Sequence, residues 1–163
     1  MAHLHHYKAT TTWTGNKGAG TKDYKSYERN HDISITGKPQ LLCSSDPKFR
    51  GDEARHNPEE LLLAALSGCH MLWYLHLCAV NGIIVMEYTD EATAVMEENR
   101  DGSGQFREVV LYPRVLVQDA GMIEKTNELH HEAHTMCFIA RSTNFPVKHE
   151  ATAAVYGVSA NVK

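Results

Sequence analysis

Cys69 and Cys137 are the residues of this chain best suited by type and setting to do redox chemistry. Cys69 lies in the apolar run 61–80, twelve residues after Asn57, which opens Asn57-Pro58-Glu59-Glu60. Cys137 closes the stretch His130-His131-Glu132-Ala133-His134-Thr135-Met136-Cys137. A cysteine buried among apolar groups is usually inert, because that environment raises its pKa and hides it. Two cysteines brought together beside arginines that favour thiolate would form a redox device instead. On a helix, Trp73 and His76 follow Cys69 by four and seven residues and share its face. Cys78 points to the opposite side, so it cannot bridge to Cys69, which requires α-carbons closer than about 7 Å. Cys137 can reach Cys69 only through tertiary packing, and the spacing alone favours two unrelated buried thiols.

The strongest element is the one that carries Cys69. Asn57 suits an N-cap, Pro58 falls at the first helical position, and Glu59 and Glu60 complement the helix N-terminus. Asn81-Gly82 supplies a stop. The helix predicted over 58–80 is about 35 Å long, enough to bend or to serve two subunits. Before it, 7–14 alternates and is rich in threonine and aromatics, as a strand would be. Residues 15–20 read as a turn and 31–36 as a second, weaker strand. Residues 37–55 form a polar loop holding Cys43, Arg50 and Arg55. After the helix, 83–97 and 106–117 bracket the turn signal 100–104 as a hairpin, with Pro113 expected at an edge or a bulge. Asp119 is placed to cap a second helix over 120–136, with Ile123, Leu129, Ala133 and Met136 inward. Asn144-Phe145-Pro146 is a turn, and 147–160 a final strand. The order of strands, long helix, hairpin, helix and strand predicts an α+β fold in a single domain, 1–163.

Composition narrows the function classes. Hydrophobic residues at 42% and charged residues at 22% of 163 are ordinary for a soluble globular protein. A net charge of −4 without charged blocks argues against a nucleic-acid partner. Four cysteines lack the density of a secreted disulfide scaffold, and no basic segment followed by an apolar stretch opens the chain. The expected location is the cytoplasm. The run 61–80 is long enough to cross a bilayer. It contains Ser67, His70, Tyr74 and His76, costly in lipid. Apolar on all sides, it reads as a helix enclosed by protein, with no membrane partner.

Asn57-Pro58-Glu59-Glu60-Leu61-Leu62, Ala64-Ala65 and Ser67-Gly68-Cys69-His70 together resemble the signature of the OsmC/Ohr family of thiol peroxidases. Ala133-His134-Thr135-Met136-Cys137 is similar to that family's second cysteine block, and the order of elements fits over nearly the whole chain. The resemblance implies antiparallel sheets wrapped around long central helices in an intertwined homodimer. It implies that Cys69 is the peroxidatic residue, that Cys137 resolves it as a disulfide, and that organic hydroperoxides are the substrates. An external dithiol, lipoyl-type or another small or protein thiol, would be the reductant, with no bound cofactor. Arg50 lies close to the family's activating arginine, with Arg55 as the alternative, and Glu59 matches the glutamate that holds that arginine. Ten helical residues, about 15 Å, separate Glu59 from Cys69. Glu59 therefore serves a Cys69 in the partner subunit, or the helix is broken between them. Two departures concern the pocket. Phe138 follows Cys137 where the family often has Pro, and Trp73, Tyr74 and His76 are unusual, pointing to Trp73 and His76 as pocket residues with a different substrate.

Two other readings share these residues. His130, His134 and Cys137 fall on one helical face with spacing that can bind zinc. However, His131 stands where a zincin has Glu, and a fourth ligand is missing, so no metal is expected. A non-catalytic dimer of the same fold, binding a small molecule or a metal, is the other alternative.

Overall fold

The computed structural model describes residues 3–158, which fall into two compact units divided between Leu62 and Leu63. In the first unit, β1 (Thr10–Trp13), β2 (His31–Ser34) and β3 (Leu41–Cys43) form an antiparallel sheet in that order. Threonines and aromatics place β1, and its register sets Thr10 opposite Ser34 and Trp13 opposite His31. β3 falls within the stretch expected as a polar loop. Its far edge is occupied by the chain around His56, whose N–H donates to the Leu42 carbonyl and whose carbonyl accepts from Ser44. Partners distant in sequence therefore make β3 a strand, where local composition reads as loop.

α1 (Pro58–Val80) has the bounds the sequence predicts, and its ends show why. Asn57 Oδ1 accepts from the Glu60 N–H at 2.8 Å, and the Glu60 carboxylate accepts from the Asn57 N–H at 3.2 Å. This reciprocal capping box satisfies two donors left over at the helix start. At the other end, Gly82 takes φ 72°, and the Ile83 N–H reaches back to the Cys78 carbonyl at 2.9 Å. The helix is unbroken. By length and composition α1 could cross a bilayer, yet it is not enclosed on all sides as expected. One stripe, Leu66, His70, Tyr74, Leu77 and Cys78, is buried, while Leu72 is 65% and Val80 64% exposed.

In the second unit the predicted hairpin is present, but each arm divides in two. β4 (Val85–Asp90) and β5 (Thr93–Glu98) separate at Glu91-Ala92, and β6 (Gly104–Leu111) and β7 (Pro113–Val117) separate at Tyr112. β5 pairs with β6 around the turn, whereas β4 pairs with β7. Asp90 fixes the break. Its carboxylate accepts from the Tyr112 N–H at 2.7 Å and from the Ser67 hydroxyl. Pro113 corrects the edge-strand expectation: β7 is the middle strand of β4-β7-β9. Proline is tolerated there because it is the first residue of the strand.

Asp119 caps a short 3-10 turn, Ala120–Met122, and α2 follows as Ile123–Met136. Its buried residues are Thr126, Leu129, His130 and Ala133, and Met136, expected inward, is 41% exposed. The predicted final strand is two strands, β8 (Val147–His149) and β9 (Thr152–Val155), and residues 159–160 of that expectation lie outside the described residues. β8 adds in parallel to β6, and β9 in parallel to β7. The connection through α2 makes this possible, since parallel neighbours need a long crossover. Tyr74, Leu77 and Cys78 of α1 pack with Val115 and Val117 of β7 and Leu129 and Ala133 of α2 as the core.

Candidate active site

α1 presents Cys69, Leu72, Trp73 and His76 along one side, as the helical spacing predicts for three of them. Phe138, just beyond α2, joins them, and the five line a cavity of about 400 Å³. Cys69 is partly exposed in this wall. Trp73 holds the cavity's shape. The His76 ring stands edge-on to it at 5.8 Å and the Phe138 ring at 5.6 Å.

Cys137 is brought to this place by the end of α2, where it is the C-cap residue. Its backbone leaves the helix in an extended conformation, φ −67° and ψ 109°. It is 1% exposed, and its sulfur accepts from the Ala140 N–H at 3.4 Å. Burial pushes the Cys137 thiol up to about 11, and the neighbouring Cys69 thiol pushes it the same way. The arrangement is thus asymmetric, with one sulfur open to a small molecule and a second held protonated beside it. Both thiols are free. Cys78 sits in the core, its pKa raised by burial, and Cys43 is likewise buried in the first unit with a raised pKa. Neither is placed for chemistry.

Arg50, Arg55 and Glu59 belong to the first unit. Arg50 ends the 3-10 turn Pro47–Phe49 in the left-handed region, φ 64° and ψ 30°, a conformation L-residues adopt at a cost. The next residue must be glycine, because a Cβ on Gly51 would lie 1.5 Å from the Ser45 carbonyl oxygen. The Arg50 guanidinium lies 6.0 Å from the centre of the Tyr24 ring and has no carboxylate partner among the described residues. Arg55 is committed: it is 3.2 Å from Asp32 and 3.7 Å from Asp52. Neither arginine is paired with Glu59, one of whose carboxylate oxygens is buried with no hydrogen-bond partner.

His130, aligned with His134 and Cys137 in sequence, makes its hydrogen bond inside the protein. Its Nδ1 is 3.0 Å from Nε2 of His70, and both rings are buried, with Tyr74 stacked on His130 at 3.9 Å. Burial, reinforced by His149 and His134, lowers His70 to about 4. Burial, reinforced by His70 and His149, lowers His130 to about 3. Among the described residues, no cluster of His, Cys, Asp or Glu is arranged to hold a metal ion. This histidine pair escaped the sequence reading because 60 residues separate its members. Leu72 and Phe138 escaped it as well. Phe138 stood out only as a departure after Cys137, and nothing local says that it folds back onto Trp73.

A family model described as OsmC-like protein matches residues 51–152. Among solved structures, an OsmC-like protein of unknown function from Vibrio cholerae is 32% identical, with a TM-score of 0.83, covering 91% of this chain and 100% of that one. An organic hydroperoxide resistance protein from Elizabethkingia anophelis is 19% identical, with a TM-score of 0.67 and coverage of 95% and 99%. An organic hydroperoxide resistance protein OsmC from Legionella pneumophila is 16% identical, with a TM-score of 0.69 and coverage of 94% and 100%. No curated protein matches the chain.

Proposed function

Because the chain belongs to the OsmC-like family, we propose that it is a thiol-dependent peroxidase for organic hydroperoxides, with Cys69 peroxidatic and Cys137 resolving. A peroxide-related role is what the hydroperoxide resistance proteins among its structural relatives suggest. One observation carries the assignment of roles: Cys69 is open to an apolar cavity, while Cys137, beside it, is buried and held protonated. The Cys69 thiolate takes the terminal oxygen of the hydroperoxide, the O–O bond breaks, and the alkoxide leaves as the alcohol with a proton from solvent. Cys69 becomes a sulfenic acid. Cys137 then condenses with it, forming the disulfide and releasing water, and an external dithiol, itself oxidised, restores both thiols.

Arg50 is the cation assigned to favour the thiolate. Its support is that it lacks a carboxylate partner, while Arg55 is occupied by Asp32 and Asp52. Glu59 is assigned to hold that arginine, and its orphaned buried oxygen is an acceptor awaiting such a donor. Since α1 is continuous, Glu59 stays about 15 Å from the Cys69 of its own helix and is assigned to the site of a second subunit. Val80, 64% exposed near the end of α1, is apolar surface that a homodimer would cover. The cytoplasm, which keeps thiols reduced, is the compartment this cycle requires.

The test is the intact mass of reduced protein after one equivalent of cumene hydroperoxide, with disulfide mapping. The expected result is a loss of two hydrogens located at Cys69–Cys137 and abolished in Cys69→Ser. An unchanged mass would remove the peroxidase assignment.

A further inference from the structure

The cavity at Cys69 is more elaborate than attack on a terminal oxygen demands. Apart from Cys69 and His76, the residues that line it, Leu72, Trp73 and Phe138, are apolar, so its wall beyond the thiol suits an uncharged hydrocarbon group. Its rings are arranged rather than merely present. His76 and Phe138 stand at 81° and 80° to the Trp73 indole, one pair at 5.8 Å and the other at 5.6 Å, both within edge-to-face range. Phe138 is 67% exposed, so one face of this aromatic set is left open to water. It lines the same cavity as Cys69, so a ring packed on Phe138 shares that cavity with the Cys69 sulfur. At about 400 Å³ the cavity has room for one compact ring.

We propose that Trp73 and Phe138 make this cavity selective for aryl-substituted hydroperoxides, whose flat ring completes the aromatic set while the peroxide reaches Cys69. The proposal rests on the peroxidase reading for its chemistry and on the cavity alone for its selectivity. The reaction is the one already balanced: the Cys69 sulfur gains the terminal oxygen, and the aryl-alkyl alkoxide leaves and is protonated by solvent. The ring stays bound as the alcohol, so product and substrate share the same ring contacts. A saturated ring of the same skeleton fills similar space but lacks the quadrupole that edge-to-face packing uses. One aromatic pair is worth roughly a twofold to tenfold preference.

The experiment compares cumene hydroperoxide with its cyclohexyl counterpart, 2-cyclohexyl-2-propyl hydroperoxide, the same tertiary peroxide with a saturated ring. The expected result is a kcat/KM about fivefold higher for the aryl compound, with Phe138→Leu and Trp73→Leu each bringing the ratio toward one. Phe138 is an exposed position, so its replacement tests selectivity without threatening the fold. A second arm needs no turnover. In Cys69→Ser carrying Trp13→Phe, Trp73 is the sole tryptophan. Its fluorescence should respond to 2-phenyl-2-propanol at about fivefold lower concentration than to 2-cyclohexyl-2-propanol. Equal kcat/KM for the two peroxides, or a ratio untouched by both substitutions, overturns the proposal. Absence of turnover with a selective fluorescence response retires the peroxidase reading and keeps ring selection. Absence of both overturns the two together.

Discussion

Replacing His70 and His130 together, His70→Leu with His130→Leu, should flatten the acid sensitivity of this protein's stability. The two imidazoles are 1% and 0% exposed and hydrogen bonded to each other. Their folded pKa values, about 4 and about 3, lie below the value of about 6.5 expected in the unfolded chain. Between those values the unfolded state binds protons that the folded state refuses, so stability rises with pH across that window. The contribution is complete above about pH 6.5 and is lost as pH falls toward 4. Integrated from pH 7 to pH 5, each ring contributes about 2 kcal/mol. The pair then contributes about 2–4 kcal/mol, the lower figure applying where the two rings share one proton. His149, half-buried and lowered mainly by its own desolvation, adds a smaller slope that remains in the variant. Removing both partners at once avoids leaving one nitrogen buried alone, which would cost stability at every pH. Urea unfolding at pH 7 and pH 5 measures the difference in both proteins. Equal pH differences in wild type and double variant would refute the reasoning. So would an NMR titration in which either ring of the folded wild type gains its proton near pH 6.5.

The remaining predictions concern single positions. With Cys137 held near 11, about 0.03% of it is thiolate at pH 7.5, so iodoacetamide should modify Cys69 well before Cys137 in native protein, as peptide mapping would show. Comparable labelling of both would contradict the asymmetry. Asn57→Ala removes the capping box and should cost about 1 kcal/mol, read as a Tm about 2–4 °C lower. Arg50→Gly relieves a left-handed backbone and should keep or raise stability, by up to about 1 kcal/mol, while hydroperoxide consumption falls. Loss of stability in parallel with activity would instead make Arg50 a structural residue.

What could be read in advance was whatever is encoded locally. α1 was legible to the residue because its cap, its proline and its terminal glycine sit within a few positions of its ends. The helical face joining Cys69 to Trp73 and His76 was legible for the same reason, since periodicity is a local property. The failures share one cause. β3, the split of 147–160 into β8 and β9, and the central place of Pro113 were all decided by partners many residues away. On α2 the apolar pattern pointed to Met136, but the buried positions went to Thr126 and His130. His130 finds its hydrogen bond on His70, 60 residues away, and gives no sign of it in sequence. The family resemblance supplied what spacing could not: the expectation that Cys69 and Cys137 meet.

The parallel pairing of β9 with β7 has a consequence in time. While the chain is being made, Pro113–Val117 can find β4 behind it at once. Its other side must wait for Thr152–Val155, which begins 35 residues beyond Val117. At the usual pace of synthesis that is a delay of about 2–7 s. Throughout it, a strand carrying Val115 and Val117 presents an unfilled edge to whatever is nearby. Yield on overproduction should therefore depend on how fast these last strands are delivered and on chaperones that shield the waiting edge.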